Sequence, residues 1–552
     1  MDQADAIVVG AGLAGLAAAA ELGDRGKSVI IVDQEPRSFL GGQAFWSLGG
    51  LCMIDTPEQR RMGIRDSREL ALGDWMGSAQ FDRPEDHWPR KWAEAYVDFA
   101  AGDMRRWLHG MGLRWFPVVG WAERGGSFAN GHGNSVPRFH ITWGTGPGII
   151  EHFVRRCEEH EKAGLIHFHF RHQVDRIDME NGAAKGVSGT VMSDDAAPRG
   201  QKTNRDAIGD FVLRAPSVIV TSGGIGGNFD MVRKVWPTER LGPAPKDMVA
   251  GVPAHVDGRM IGISETAGGH VINGDRMWHY TEGVKNWDPI WPAHGIRILP
   301  GPSSMWFDAT GNRFAPPALP GFDSMSTLRM ILETGYDYSW FVLTQKVIKK
   351  EFALSGSEQN PDLTSKKWSE VIKQRVLSGK NATGPVEAFK ERGEDFVVAN
   401  DLTTLVRGMN QVAGGGLIDE AKLRAQIEAR DAQIDNPFSK DAQMMAIHAA
   451  RNYRGDRLLR TAKPHKFLDP ANGPLIAVKL HVLTRKTLGG LHTNLDSQMI
   501  GADGQTVPGL FAAGEVAGFG GGGYHGYNAL EGTFLGGCIF SGRNAGRSKT
   551  IA

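Results

Sequence analysis

Cysteine is scarce in this chain: Cys52, Cys157 and Cys538 are the three among 552 residues. None belongs to a Cys-x-x-Cys pair, so neither a zinc site nor a disulfide framework is expected, and no Cys-x-x-Cys-His is present to attach a c-type haem. No run of 18 apolar residues occurs, which argues against a membrane-spanning helix. Neither sign of charge is in excess. Lys plus Arg number 62 and Asp plus Glu number 62, so no net field favours nucleic acid or an anionic membrane. The first apolar strand pattern begins at Ala6 and leaves no room for a signal peptide, so a cytoplasmic product is expected.

What the chain has in quantity is glycine, 73 residues, gathered in clusters instead of repeating periodically, which excludes a collagen-like or low-complexity chain. The length exceeds one average core, and two domains are expected. The first cluster follows the apolar run Ala6-Ile-Val-Val9: Gly10-Ala11-Gly12-Leu13-Ala14-Gly15, then a helical stretch to Leu22, a second strand Ser28 to Val32, and Asp33-Gln34. Strand, Gly-x-Gly-x-x-Gly, helix, strand and acid form the dinucleotide fingerprint. The first glycine makes the tight turn, the second admits a pyrophosphate, and the third lets helix and strand pack. Asp33 lies 18 positions after Gly15, near the spacing for an acid that binds the adenosine ribose.

The C-terminal cluster is the counterpart. A strand pattern, Leu510-Phe-Ala-Ala513, delivers Gly514-Glu515, and a long glycine stretch leads through Tyr527 and Leu530 to a helix expected from about Gly532, opening on Thr533-Phe534-Leu535. Glycine lets backbone approach a flat ligand, and a helix N-terminus offers free N–H groups to an electron-rich carbonyl. This is read as the bed for a flavin ring. Between the two ends, Gly41-Gly42-Gln43, Ser47 and Gly49-Gly50 form a loop suited to phosphates and the ribityl chain. It carries no histidine for a covalent link, so the FAD is expected to be non-covalent. A third strand-into-glycine pattern ends in Thr221-Ser222-Gly223-Gly224, and Val174 follows a strand at 165–170; both are expected beside the cofactor. His167 and His169 alternate along that strand without acidic partners and are read as strand residues, with no metal.

From about residue 281 prolines interrupt long strands and charged helices follow, for example 419–435. The expected layout is α/β, α+β overall: a discontinuous Rossmann FAD domain (1–280 and 461–552) with an inserted α+β cap (281–460) holding substrate.

The glycine sites, Ala513-Gly514-Glu515 and Gly489-Gly490 together resemble the flavoprotein superfamily of fumarate reductase, succinate dehydrogenase and 3-ketosteroid dehydrogenases, in particular its bacterial FAD-binding dehydrogenases. The resemblance implies an FAD domain of the glutathione-reductase type, a cap, and substrate held between cap and flavin. Mapping functional residues divides the substrate question. Fumarate reductases carry an arginine after an Asn-Arg-Phe turn; here Asn312-Arg313-Phe314 leads to Gly321 and Phe322 instead. Their His-Gly-x-Asn-Arg-Leu run meets His525-Gly526-Tyr527-Asn528-Ala529-Leu530, with alanine for arginine. Two substrate carboxylates buried without cations would cost several kcal/mol each, so dicarboxylates are disfavoured. Ketosteroid dehydrogenases have a Leu-Pro-Tyr tyrosine where this chain has Leu319-Pro320-Gly321, yet their C-terminal tyrosine-plus-glycine pair is matched by Tyr527 and Gly532. A phenol and a helix-terminal N–H make an oxyanion hole. His279 and Tyr280 are expected to move protons, with Asp323 and Arg485 as further candidates.

The function expected is an FAD dehydrogenase acting on a carbon–carbon bond beside a ketone of an apolar, cyclic or steroid-like small molecule, by hydride transfer at flavin N5. Alternatives are a fumarate-type reductase of a small unsaturated acid and a non-catalytic flavin electron carrier. A single dinucleotide fingerprint leaves the electron acceptor or donor unidentified.

Overall fold

A computed structural model describes residues 2–121, 123–125 and 133–551. Eleven elements place the site, in chain order: β1 (Ala6–Val9), α1 (Leu13–Asp24), β2 (Val29–Asp33), β3 (Ile166–Phe170), β4 (Val218–Val220), β5 (Met277–Lys285), β6 (Gly295–Leu299), α2 (Trp368–Arg375), β7 (Leu475–Thr487), β8 (Thr506–Ala512) and α3 (Thr533–Arg547).

The first sheet runs 498–500, β8, β4, β1, β2, β3. Its four parallel pairings are what the continuous Val/Ile runs call for, because a parallel strand covered on both faces is apolar throughout. β1 sits between β2 and β4, with Val8 opposite Ile31 on one side and Ile219 on the other. All four parallel contacts aim their carboxyl ends, and the glycine turns after them, at one edge. The 498–500 strand alone is antiparallel.

The chain ends are locked together. Ala14, Ala18 and their neighbours in α1 face Gly542 and Gly546 of α3 so closely that a Cβ at either glycine would come within 2.3 and 2.4 Å of α1 carbonyl oxygens. Arg25 closes the joint by donating to the carbonyls of Gly546, Ser548 and Ile551. The first sheet and its packing thus draw on both ends of the chain.

The second, eight-stranded sheet runs 305–308, 338–344, β7, β5, β6, 353–354, with 248–250 and 396–399 also paired to β7. Its composition differs from the expected boundaries. β5 crosses residue 280, and β7, assigned by sequence to the flavin part, is the strand on which four others pair. Sheet membership is a non-local property, and β7 reads as an apolar strand whichever sheet it joins. No helix among the described residues is long and apolar enough to cross a membrane.

Candidate active site

One cleft runs along the carboxyl edge of the first sheet and under the second. At one end lie the fingerprint glycines. Gly41 N donates to Ala11 O at 2.9 Å, which brings the 41–50 loop against the 10–15 turn. Each glycine has its own reason to be there. A Cβ on Gly15 would sit 2.0 Å from Gly10 O, so Gly15 serves packing. A Cβ on Gly12 meets only Thr221 O, at 4.0 Å, and points into open cleft. That is the space a pyrophosphate needs. Thr221 Oγ1 donates to Val9 O and Gly10 O, holding β4 to the turn.

Asp33 accepts from Ala11 N at 2.7 Å through one oxygen and Glu35 N at 2.8 Å through the other. It therefore props the glycine turn while keeping lone pairs toward the cleft, and burial pushes its carboxyl up to about 6. Further along, Glu515 accepts from Thr487 N and from Gln43 Nε2, both at 2.9 Å. Lys486 Nζ stands 3.1 Å from Gln43 Oε1 and 3.6 Å from Glu515. This donor set of glycine backbone, acid, amide and amine fits FAD.

Of the residues expected at the cofactor, Gly10, Gly12, Leu13, Ala14, Asp33, Gln34, Gly41, Gly42, Gln43, Ser47, Gly49, Gly50, Val174, Ser222, Gly223, Gly514, Glu515, Phe534 and Leu535 line the cleft. Ala11, Gly15, Gly224, Leu530 and Thr533 stand behind that wall. Gly224 is pinned against Thr487 and Glu515, and Thr533 Oγ1 contacts His525 Nε2 at 2.7 Å.

The four expected catalytic residues divide two and two. Tyr280 and Gly532 line the cleft; His279 and Tyr527 do not. Strand periodicity explains the histidine. Successive side chains in β5 point to opposite faces, so Tyr280 facing the cleft sends His279 the other way. There His279 lies buried against Trp236, ring centroids 4.8 Å apart, with both nitrogens unpartnered and its pKa held down to about 3 by burial and then Arg240. Tyr527 is turned away by its own neighbour. Gly526 has φ +60, and Tyr527 N donates to Ala79 O while Asn528 Nδ2 donates to Ser78 O. The phenol then bonds Asp82 at 3.0 Å, and Arg276, Arg240 and Arg83 crowd its ring. Asp323, raised as a proton carrier, is occupied in capping a helix through Ser326 N.

Three side chains at this end carried no motif: Arg297, Glu531 and Lys486. Arg297 Cζ lies 3.7 Å from the Tyr280 ring centroid. Its guanidinium bonds Glu531 through Nη1 and Glu123 through Nη2, with Glu282 3.8 Å from Nε. Three carboxylates around one cation cannot all ionise cheaply when buried. Burial raises Glu123 well above the usual carboxylate range and raises Glu282; Glu531 is the one carboxylate of the three on the cleft wall. The Tyr280 hydroxyl is likewise pushed well up by burial and by Glu531, so it holds its proton and donates. Arg485 and Lys486, though consecutive, both face the cleft because Lys486 pairs with Trp278 and Thr484 with His279, leaving Arg485 as the extra residue of a β-bulge. The remaining wall is apolar: Leu48, Phe139 and Leu299.

The chain is matched by the family described as FAD binding domain over residues 5–535. It is 60% identical over 544 residues to a KsdD-like steroid dehydrogenase of Mycobacterium tuberculosis, covering 99% of this chain and 95% of that one. It is 61% identical over 535 residues to a KsdD-like steroid dehydrogenase of Mycolicibacterium smegmatis, covering 97% and 96%. Among solved structures, the 3-ketosteroid-Δ4-(5α)-dehydrogenase of Rhodococcus jostii RHA1 superposes with a TM-score of 0.63 at 18% identity, over 100% of this chain and 97% of that chain.

Proposed function

The chain belongs to the FAD binding domain family, and from that membership we propose that its cleft seats FAD along the glycine edge and a steroid-like ketone at the Tyr280–Gly532 end. It is an FAD-dependent oxidoreductase. The observation that carries the substrate reading is that one continuous cleft joins the FAD cradle to a polar pair, the Tyr280 hydroxyl and the Gly532 helix terminus, set among Leu48, Phe139 and Leu299. The names of the relatives at 60% and 61% identity point the same way.

Bound FAD supplies the two-electron acceptor for a hydride. The side chains supply the rest. Tyr280 O–H and the Gly532 N–H hydrogen-bond the ketone oxygen and stabilise the charge it gains when the adjacent carbon loses a proton. Glu531, held by Arg297 Nη1 on the cleft wall, receives that proton. The Arg297 charge is already balanced by its carboxylates, so it makes no clamp for a dicarboxylate; Arg485, 3.3 Å from Ser355 Oγ, is the cation left to meet a second polar group of the substrate. The cofactor is read as held without a covalent bond, because the 41–50 loop that lies against the glycine turn carries no histidine to form one. A cytoplasmic location suits three cysteines that remain free thiols.

The test is anaerobic bleaching of the bound flavin by saturated 3-ketosteroids, succinate and NAD(P)H in parallel. Bleaching by the ketosteroid, with loss of two hydrogens from it by mass spectrometry, is expected. Bleaching by succinate or NAD(P)H alone would overturn the reading.

A further inference from the structure

The zero net charge of the chain hides one strongly basic stretch. Residues 366–380 carry Lys366, Lys367, Lys373, Arg375 and Lys380 against a single carboxylate, Glu370. Arg375 is taken by Asp362 and Lys366 by Glu151, while Lys367, Lys373 and Lys380 are exposed and form no ion pair among the described residues. The same stretch exposes four large apolar side chains: Trp368 (50%), Ile372 (46%), Val376 (67%) and Leu377 (72%). A patch of this kind on a folded chain marks a contact surface.

The other side of α2 shows what the surface is joined to. Val371 is buried in an apolar cluster with Leu48, Leu299 and Leu363, against which Phe139 and Trp143 pack. Leu48, Leu299 and Phe139 are the apolar wall of the cleft. Trp368 bridges the two faces, stacked on Trp143 at 4.5 Å and Phe116 at 5.8 Å. The helix that packs behind the apolar wall of the cleft therefore presents tryptophan, aliphatics and lysines outward.

We propose that the 366–380 face docks on an anionic lipid surface and sets the cleft wall against the bilayer from which an apolar substrate is drawn. Tryptophan and lysine together are the composition of a membrane interface: the indole sits at headgroup depth and the lysines reach anionic headgroups while their stems cover apolar surface. A second copy of the chain is a poorer occupant, because a two-fold contact would set Lys367, Lys373 and Lys380 against themselves. The substrate clause rests on the ketosteroid reading; the docking does not.

The experiment is sedimentation of the FAD-loaded full chain with vesicles of phosphatidylcholine alone or mixed with phosphatidylglycerol. Binding to the mixed vesicles, reversed by salt, is expected. Val376→Ser with Leu377→Ser should lower the bound fraction about tenfold. Each of Lys367→Gln, Lys373→Gln and Lys380→Gln should weaken binding about fivefold. Flavin content and bleaching by ketosteroid added from cosolvent should stay unchanged in all of them, so failure to bind vesicles and failure to bleach are separate results. Equal sedimentation of wild type and variants would overturn the proposal. So would a dimer that the Val376/Leu377 variant breaks without any vesicle binding, which would give the face to a second copy.

Discussion

Tyr280 and Arg297 stack on the cleft wall with the guanidinium carbon 3.7 Å from the ring centroid. The cation favours the π-face of the phenol, and its two short carboxylate bonds fix it there. Tyr280 thus has a rigid backing, and its hydroxyl is the part left free to meet a ligand. Rigidity of this kind is what a hydrogen-bond donor to a developing charge requires.

Replacing that hydroxyl should be costly and specific. Tyr280→Phe is expected to slow flavin bleaching by a ketosteroid roughly 10²-fold or more while FAD content is kept. Tyr527→Phe, whose hydroxyl reaches Asp82 outside the cleft, should change the rate by less than about threefold, on the scale of a lost surface hydrogen bond. Stopped-flow absorbance on both variants checks this. Equal losses would return the oxyanion role to Tyr527.

Glu531 and Glu123 bond the same arginine but should behave differently. Glu531→Gln removes the proton acceptor and is expected to lower the bleaching rate by about 10² to 10⁴, with partial recovery in Glu531→Asp and FAD retained. Burial favours the neutral form of Glu123, so the neutral Glu123→Gln should leave the melting temperature nearly unchanged. Arg297→Met, which strips the cation from buried carboxylates, should cost about 3–5 kcal/mol. A Glu123→Gln loss as large as that of Arg297→Met would show that Glu123 is ionised in the fold.

These residues show how far the sequence was legible. The cofactor end was readable because backbone geometry dictates glycine: Gly10, Gly12 and Gly41 are where a turn or a ligand forbids a Cβ, and residue identity reports it. The substrate end was not. Arg297, Glu531 and Glu123 come together from a β-strand, the approach to α3 and a loop, and each alone is an ordinary charged residue. The Tyr527–Gly532 spacing fitted the family pattern, but Gly526 and two bonds to Ala79 and Ser78 rotate the tyrosine out. Arg485 and Lys486 share the cleft through a bulge that exists only in the pairing of β7 with β5.

The two outer glycines of the Gly12-x-x-Gly15 turn should separate cofactor binding from folding. Gly12→Val places its side chain in the open cleft, so the protein should fold with an unaltered apo melting temperature and carry no FAD. Gly15→Ala drives a methyl to within 2.0 Å of Gly10 O and should lower the melting temperature itself. Flavin absorbance per protein and calorimetry of apo protein read the two effects. A Gly12→Val protein that loads FAD would remove the pyrophosphate from this turn.

Asp33 should make FAD affinity depend on pH. Burial holds its carboxyl up at about 6 in the free protein, against about 3.9 in an unfolded chain. The fold therefore binds a proton that the unfolded chain has released between about pH 4 and 6. This contribution to apo stability is present at low pH and fades as pH rises through that window. A ribose hydroxyl donating to Asp33 prefers the ionised form, so FAD binding releases the proton. Affinity, measured by flavin fluorescence, should rise between pH 5 and about 7 and level off above. Asp33→Asn should bind more weakly and lose the slope. The same change should flatten the apo melting temperature over the lower half of that range. A slope that survives in Asp33→Asn would assign the titration to another group on the cleft wall, His255 being the neighbouring one whose pKa burial lowers.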